Sequence, residues 1–224
     1  MKNKKNLGIY IHIPFCVQKC VYCDFLSAPA GEDVKRKYIE ALICEINITC
    51  GLYNDRLSGY QVKTIFFGGG TPSAVKPEYI RDIMKCLNEH FDIAEGAEVT
   101  IECNPGTLDI NKADIYRECG INRISFGLQS ADNTELKMLG RIHTFEQFKE
   151  SLSIAEKAGF EHFMIKEIHE QPKAVSDTLN SVVKDGAIDL SEVGLSEEEI
   201  KEISQIYIVA CGSAYHVGVA AQYV

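Results

Sequence analysis

The sequence predicts an α/β fold in which parallel strands alternate with helices and curl into part of a (β/α) barrel. Four short runs, Gly8–Ile13, Val62–Phe67, Glu98–Glu102 and Arg123–Phe126, have the length and residue types of buried strands. The segments between them carry apolar residues at helical spacing, as in Tyr38, Leu42 and Ile46, and again in Ile80, Ile83, Met84 and Leu87. Strands that alternate with helices in this way imply a parallel sheet. Each run also ends close to a glycine, cysteine or polar residue, and parallel barrels build their sites from the carboxyl ends of their strands.

The first strand leads directly into Cys16, Cys20 and Cys23, spaced C-x3-C-x2-C within Ile9–Phe25. A loop that tight gathers three thiolates into one small volume, which suits three corners of a [4Fe–4S] cluster and leaves one iron open to another ligand. A zinc site ordinarily takes four ligands in two pairs, and no second C-x2-C or H-x3-H pair follows. Disulfides fit poorly with nine cysteines, an odd number, and with the lack of any secretory signal pattern.

After the second strand comes Gly68-Gly69-Gly70-Thr71-Pro72. Glycines there permit positive φ and a close backbone approach to a ligand, although a glycine triplet by itself is more often a plain turn. The third and fourth strands are followed by Glu102-Cys103-Asn104-Pro105 and Gly127-Leu128-Gln129-Ser130. A single Glu or Gln at a strand end is ordinarily a solvated loop residue. Two in order, Glu102 and Gln129, each after the right strand, favour a site.

These residues together resemble the radical S-adenosylmethionine enzymes, and within them the branch of haem chaperones and oxygen-independent coproporphyrinogen oxidases. The resemblance implies a [4Fe–4S] cluster on Cys16, Cys20 and Cys23 whose open iron chelates S-adenosylmethionine and whose electron cleaves it to a 5′-deoxyadenosyl radical. It implies that the glycine turn holds the methionine amino group. It further implies that Tyr10, Gly69, Gly70, Thr71, Glu102, Gln129 and Arg141 contact S-adenosylmethionine or a second copy of it, with Tyr22 near the adenine and Leu139–His143 after the fourth strand. Two functions stay open by resemblance: a haem chaperone, and an oxidase that decarboxylates coproporphyrinogen. The short arm before Cys16 and the sequence Cys23-Asp24-Phe25 favour the chaperone. Haem or a porphyrin would be the small-molecule partner, alongside a reducing electron donor.

Composition agrees with such a protein. The 224 residues are 46% hydrophobic, enough for a sizeable core. A formal charge of −9 argues against a nucleic-acid partner, and the apolar runs are too short to span a membrane. A thiolate-ligated cluster suits the reducing cytoplasm.

Beyond about residue 160 the resemblance changes. His162–Pro172 resembles the linker of glutamine–fructose-6-phosphate aminotransferase, and Ile206–Gly218 resembles the first strand and phosphate-binding turn of its sugar isomerase (SIS-like) domain. The expected organisation is therefore a truncated radical S-adenosylmethionine core over residues 1–160 and an incomplete α/β isomerase-like fragment over 161–224. Such a chimera would be truncated on both sides. Lys166 stands where the first family carries a carboxylate, and Ala214 where the second carries a hydroxyl. The chain also opens Met1-Lys2-Asn3 without the nucleophilic cysteine that glutamine hydrolysis needs. A non-functional fusion fragment is thus a further reading.

Overall fold

A computed structural model describes residues 4–160, together with 176, 180, 183, 184, 187, 188, 201 and 202. The chain divides into two compact units, Met1–His162 and Phe163–Val224. In the second unit the described residues include an antiparallel pair, Val183–Lys184 with Ala187–Ile188. Lys166, Ala214, His162–Pro172 and Ile206–Gly218, expected to mark the second part, lie outside the described residues.

The first unit is built on four parallel strands, β1 (Lys5–Ile13), β2 (Tyr60–Gly69), β3 (Ile93–Cys103) and β4 (Arg123–Phe126), hydrogen-bonded in chain order. Helices α1 (Glu32–Leu57), α2 (Pro77–His90) and α3 (Ile110–Glu118) join successive strands, and α4 (Asn133–Met138) and α5 (Phe145–Lys157) follow the last. Sequential order with a helix at every crossover is the arrangement of a (β/α) barrel segment, since crossovers of one hand put the helices on one side.

Alternation along the strands decides what is buried. Ile11 and Ile13 of β1, Ile65 and Phe67 of β2, and Val99, Ile101 and Cys103 of β3 turn to the helices and form one apolar core. Ile39 and Ile46 of α1, Ile80, Ile83 and Leu87 of α2, Ala113 and Tyr116 of α3, and Ala155 of α5 complete it. The intervening residues Tyr10, His12, Phe66, Thr100 and Glu102 share the opposite face.

All four predicted strands are present, and three are longer than predicted. β3 starts at Ile93, five positions before the expected Glu98, because Gly96 adopts φ +77° and the register with β2 shifts between Val62 and Thr64. That bulge breaks the alternation a sequence pattern relies on. Three helices are fixed at their starts by side chains. Asp109 caps α3, Asp132 caps α4, and Thr144 with Gln147 forms a capping box on α5. Among the described residues no helix is long and apolar enough to cross a membrane.

Candidate functional site at the carboxyl ends of the strands

Because all four strands run the same way, their carboxyl ends meet on one edge, and every predicted site residue of the strand ends is found there. The cysteine loop is tied down at its base. The Cys16 N–H donates to the Ala28 carbonyl at 3.2 Å and the Ala28 N–H to the Pro14 carbonyl at 3.0 Å, so the chain leaves and re-enters through a short parallel bridge between Phe15 and Ala28. Within it the Cys23 N–H turns back onto the Cys20 carbonyl at 3.2 Å. Cys16 is buried, whereas Cys20 and Cys23 are half-buried.

The glycine turn is stitched to that loop. The Gly70 N–H donates to the Ile13 carbonyl at 2.9 Å and the Thr71 N–H to the Phe15 carbonyl at 2.7 Å. A Cβ on Gly70 would lie 2.6 Å from the Phe15 carbonyl oxygen and 3.0 Å from Cys16 Sγ, so only glycine lets the turn pass beside the first cysteine. Gly69 has φ +114°, where a side chain would be strained and would also strike the His12 ring at 2.6 Å. The turn's backbone thus faces the base of the cysteine loop, with the Gly70 and Thr71 amides donating to its carbonyls.

Beside the turn, Glu102 is half-buried and its carboxylate accepts from the Gly69 N–H. Desolvation dominates and holds its carboxyl above the ordinary glutamate range, the backbone hydrogen bond opposing it. Tyr10 is 57% exposed, stacks on Phe66 at 6.2 Å and lies 2.9 Å from His12 Nδ1 through its hydroxyl. His12 Nε2 donates to the Leu26 carbonyl at 3.2 Å, which leaves Nδ1 as acceptor for Tyr10 and ties the far end of the cysteine loop to the sheet.

Arg141 joins the strand ends to the cysteines. Nη2 donates to the Gly127 carbonyl at 2.6 Å and to Asn104 Oδ1 at 2.8 Å, while Nη1 lies 3.4 Å from Tyr22 Oη and 3.5 Å from Cys20 Sγ. Its Nε is buried without a partner among the described residues. Asn104 Nδ2 in turn donates to the buried Thr71 hydroxyl at 2.8 Å. His143 is buried behind Arg141 with Nε2 on the Leu128 carbonyl at 3.2 Å, and burial, reinforced by the Arg141 charge, pushes its pKa down. Gln129 is exposed and adopts φ +71°, the one non-glycine residue at positive φ among those described.

The structure therefore brings Gly69, Gly70, Thr71, Glu102 and Tyr10 together around the turn, and Tyr22 and Arg141 together over Cys20. Gln129 stands at the rim. Asn104, His12 and His143 were not singled out from sequence. Asn104 lay in the quoted strand-end string, and a polar residue directly after a strand was the available signal. Among the described residues no three His, Cys, Asp or Glu side chains converge on one point as a single ion requires. A multi-iron cluster makes a different demand, since each thiolate takes its own iron. One buried and two half-buried thiols in one short anchored loop, together with the orphaned Arg141 Nε, fit a cluster with an anionic ligand beside it.

Residues 10–180 match the model of the Radical SAM superfamily. The chain belongs to that superfamily. It is 36% identical over 193 residues to the heme chaperone HemW of Haemophilus influenzae, covering 85% of this chain and 50% of that protein. It is 37% identical over 194 residues to HemW of Escherichia coli, covering 85% and 49%. The chain thus spans about half the length of the curated relatives it matches. The solved coproporphyrinogen III oxidase HemN of Escherichia coli superposes with a TM-score of 0.63 at 30% identity, over 70% of this chain and 36% of that one. A match covering 85% of the chain is more than residues 1–160 alone supply, so likeness to these relatives runs past residue 160.

Proposed function

We propose that the first unit binds a [4Fe–4S] cluster through Cys16, Cys20 and Cys23 and S-adenosylmethionine against the Gly68–Thr71 turn, and that the protein is a haem chaperone. The observation that carries this reading is the double backbone tie from Gly70 and Thr71 to Ile13 and Phe15, which holds a ligand-binding turn beside the cysteine loop. When bound, the cluster supplies an electron to the sulfonium cofactor. The chain's own residues would bind and orient that cofactor. The Arg141 Nε offers a desolvated donor to an α-carboxylate, and the Glu102 carboxylate offers an acceptor to an α-ammonium. The Tyr10 ring and the Gln129 amide, at opposite ends of the row of strand ends, would border it.

The chaperone assignment is supported by relatives named as heme chaperones at 34–37% identity, and the oxidase alternative by the HemN superposition. The test is anaerobic reconstitution with iron and sulfide, followed by electron paramagnetic resonance of the reduced cluster with and without S-adenosylmethionine, and by haem titration. About four irons per chain and a signal altered by S-adenosylmethionine are expected. An unaltered signal at saturating cofactor would leave a plain iron–sulfur protein. Decarboxylation of coproporphyrinogen without haem uptake would favour the oxidase.

For the segment after about residue 160 we propose the isomerase-like fragment as a second, separate reading, supported by the two strings His162–Pro172 and Ile206–Gly218. Because the superfamily match reaches residue 180, that reading is tested most cleanly on residues 181–224. Calorimetric titration of the full chain with fructose 6-phosphate is expected to show no binding, since the string Cys211-Gly212-Ser213 alone supplies too few donors for a sugar-phosphate site. Micromolar binding would make the segment a working domain.

A further inference from the structure

The guanidinium of Arg141 is gripped from neighbouring strand ends and laid against a cysteine sulfur. Asn104, after β3, uses both halves of its amide: Nδ2 donates to Thr71 Oγ1 after β2, and Oδ1 accepts from Arg141 Nη2. The Gly127 carbonyl, after β4, accepts from the same Nη2 at 2.6 Å. The other arm of the guanidinium, Nη1, then reaches Cys20 Sγ at 3.5 Å and Tyr22 Oη at 3.4 Å. Space for this relay exists because residue 127 is glycine. A Cβ there would lie 2.8 Å from Asn104 Oδ1 and 3.3 Å from Arg141 Nη2. The turn before Arg141 rests on the same loop, with Gly140 at φ +72° and its Cβ position 3.4 Å from the Val21 nitrogen.

We propose that Asn104 is a positioning residue that aims Arg141 at Cys20 Sγ, and that this contact raises the reduction potential of a cluster held by Cys16, Cys20 and Cys23. The inference rests on the cluster reading above and goes beyond it, since the resemblance assigns no role to Asn104 and no contact between Arg141 and sulfur. Reduction adds one negative charge to the cluster, shared with its sulfur ligands. A cationic donor on one of those sulfurs favours the reduced form, and hydrogen bonds to sulfur are among the protein's means of setting the potential. Partial burial strengthens the effect by limiting solvent screening. Asn fills the position with one amide that donates to the Thr71 oxygen and accepts from the guanidinium at once.

The test is a redox titration of the reconstituted full chain, read by electron paramagnetic resonance, with iron content as the loading check. Arg141→Leu is expected to shift the midpoint to more negative potential. Asn104→Ala, although it touches no sulfur, should shift it in the same direction by less. The Asn104→Ala/Arg141→Leu double variant should match Arg141→Leu alone, because Asn104 acts through Arg141. Should Arg141→Leu fail to load, Arg141→Lys keeps the charge, loses the planar fork and must still move the midpoint negatively. Loaded variants with the wild-type midpoint, or an additive double variant, overturn the inference alone. A wild-type chain that takes up no cluster overturns the underlying reading and the inference with it.

Discussion

On the helix-covered face of the sheet, Ile13, Ile65, Phe67 and Ile101 are buried against α1, α2 and α3, whereas the opposite face of the same strands presents Tyr10, His12, Phe66 and Glu102, none of them fully buried. Neighbouring residues in the chain thus belong to different environments. Phe67 is fully buried and Phe66 stacks on exposed Tyr10. The comparison teaches that stability and ligand chemistry are separable along each strand, one residue apart. The two meet only at the carboxyl ends, where Gly69 and Gly70 connect a packed strand to the cysteine loop.

The largest expected effect lies on the loop. Cys16→Ala, Cys20→Ala or Cys23→Ala should abolish iron retention, while Cys44→Ala on the exposed side of α1 and Cys86→Ala, buried on α2, should retain it, as measured by iron and sulfide content. Equal loss on Cys44→Ala would show that the ligand set is wrong. Next comes the covered face. Phe67→Ala should cost about 3–5 kcal/mol and lower the melting temperature, whereas Phe66→Ala, one position along, should cost clearly less. Similar costs for the two would break the distinction between faces.

Gly70→Ala tests the seam. Its Cβ would press on the Phe15 carbonyl at 2.6 Å, a backbone atom that cannot swing aside. A loss of about 1–3 kcal/mol is expected, together with a drop in cluster loading that Phe67→Ala at matched stability does not show.

The smallest effect is electrostatic. Burial raises the Glu102 pKa in the folded protein above its unfolded value, so the folded state favours the protonated carboxyl. Its contribution is therefore fully present below the unfolded pKa and is lost as pH rises through the folded one. Glu102→Gln should slightly raise the melting temperature near neutral pH, and the gain should vanish in acid. A gain that grew on acidification would contradict the sign. The same variant should weaken S-adenosylmethionine binding, which separates its two roles.

Much of this was legible in the sequence. The four strands could be located because their apolar runs are bounded by helical spacing, and the strand-end residues Glu102 and Gln129 because polar residues follow those runs. The start of β3 was not legible, since a bulge at Gly96 shifts the alternation. Nor were the roles of Asn104 and His12. Asn104 becomes informative only when the register brings Thr71 to one side and Arg141 to the other, and His12 only when the loop returns the Leu26 carbonyl to its ring. Such contacts join positions 14 to 37 residues apart, and no local pattern encodes them. The functional positions expected beyond residue 160 lie outside the described residues.

The order of the strands has a consequence for how the molecule is made. Each strand pairs with the one that precedes it in the chain, so a nascent polypeptide can extend the sheet at its growing edge without waiting for a distant segment. The cysteine loop emerges early, but the Gly70 and Thr71 amides that hold its base arrive only with the end of β2, and Arg141 well after β4. A ribosome-bound chain therefore displays three thiols for an interval before the groups that organise them exist. The loop therefore takes its final shape only once the chain has emerged through Arg141, a delay built into the topology.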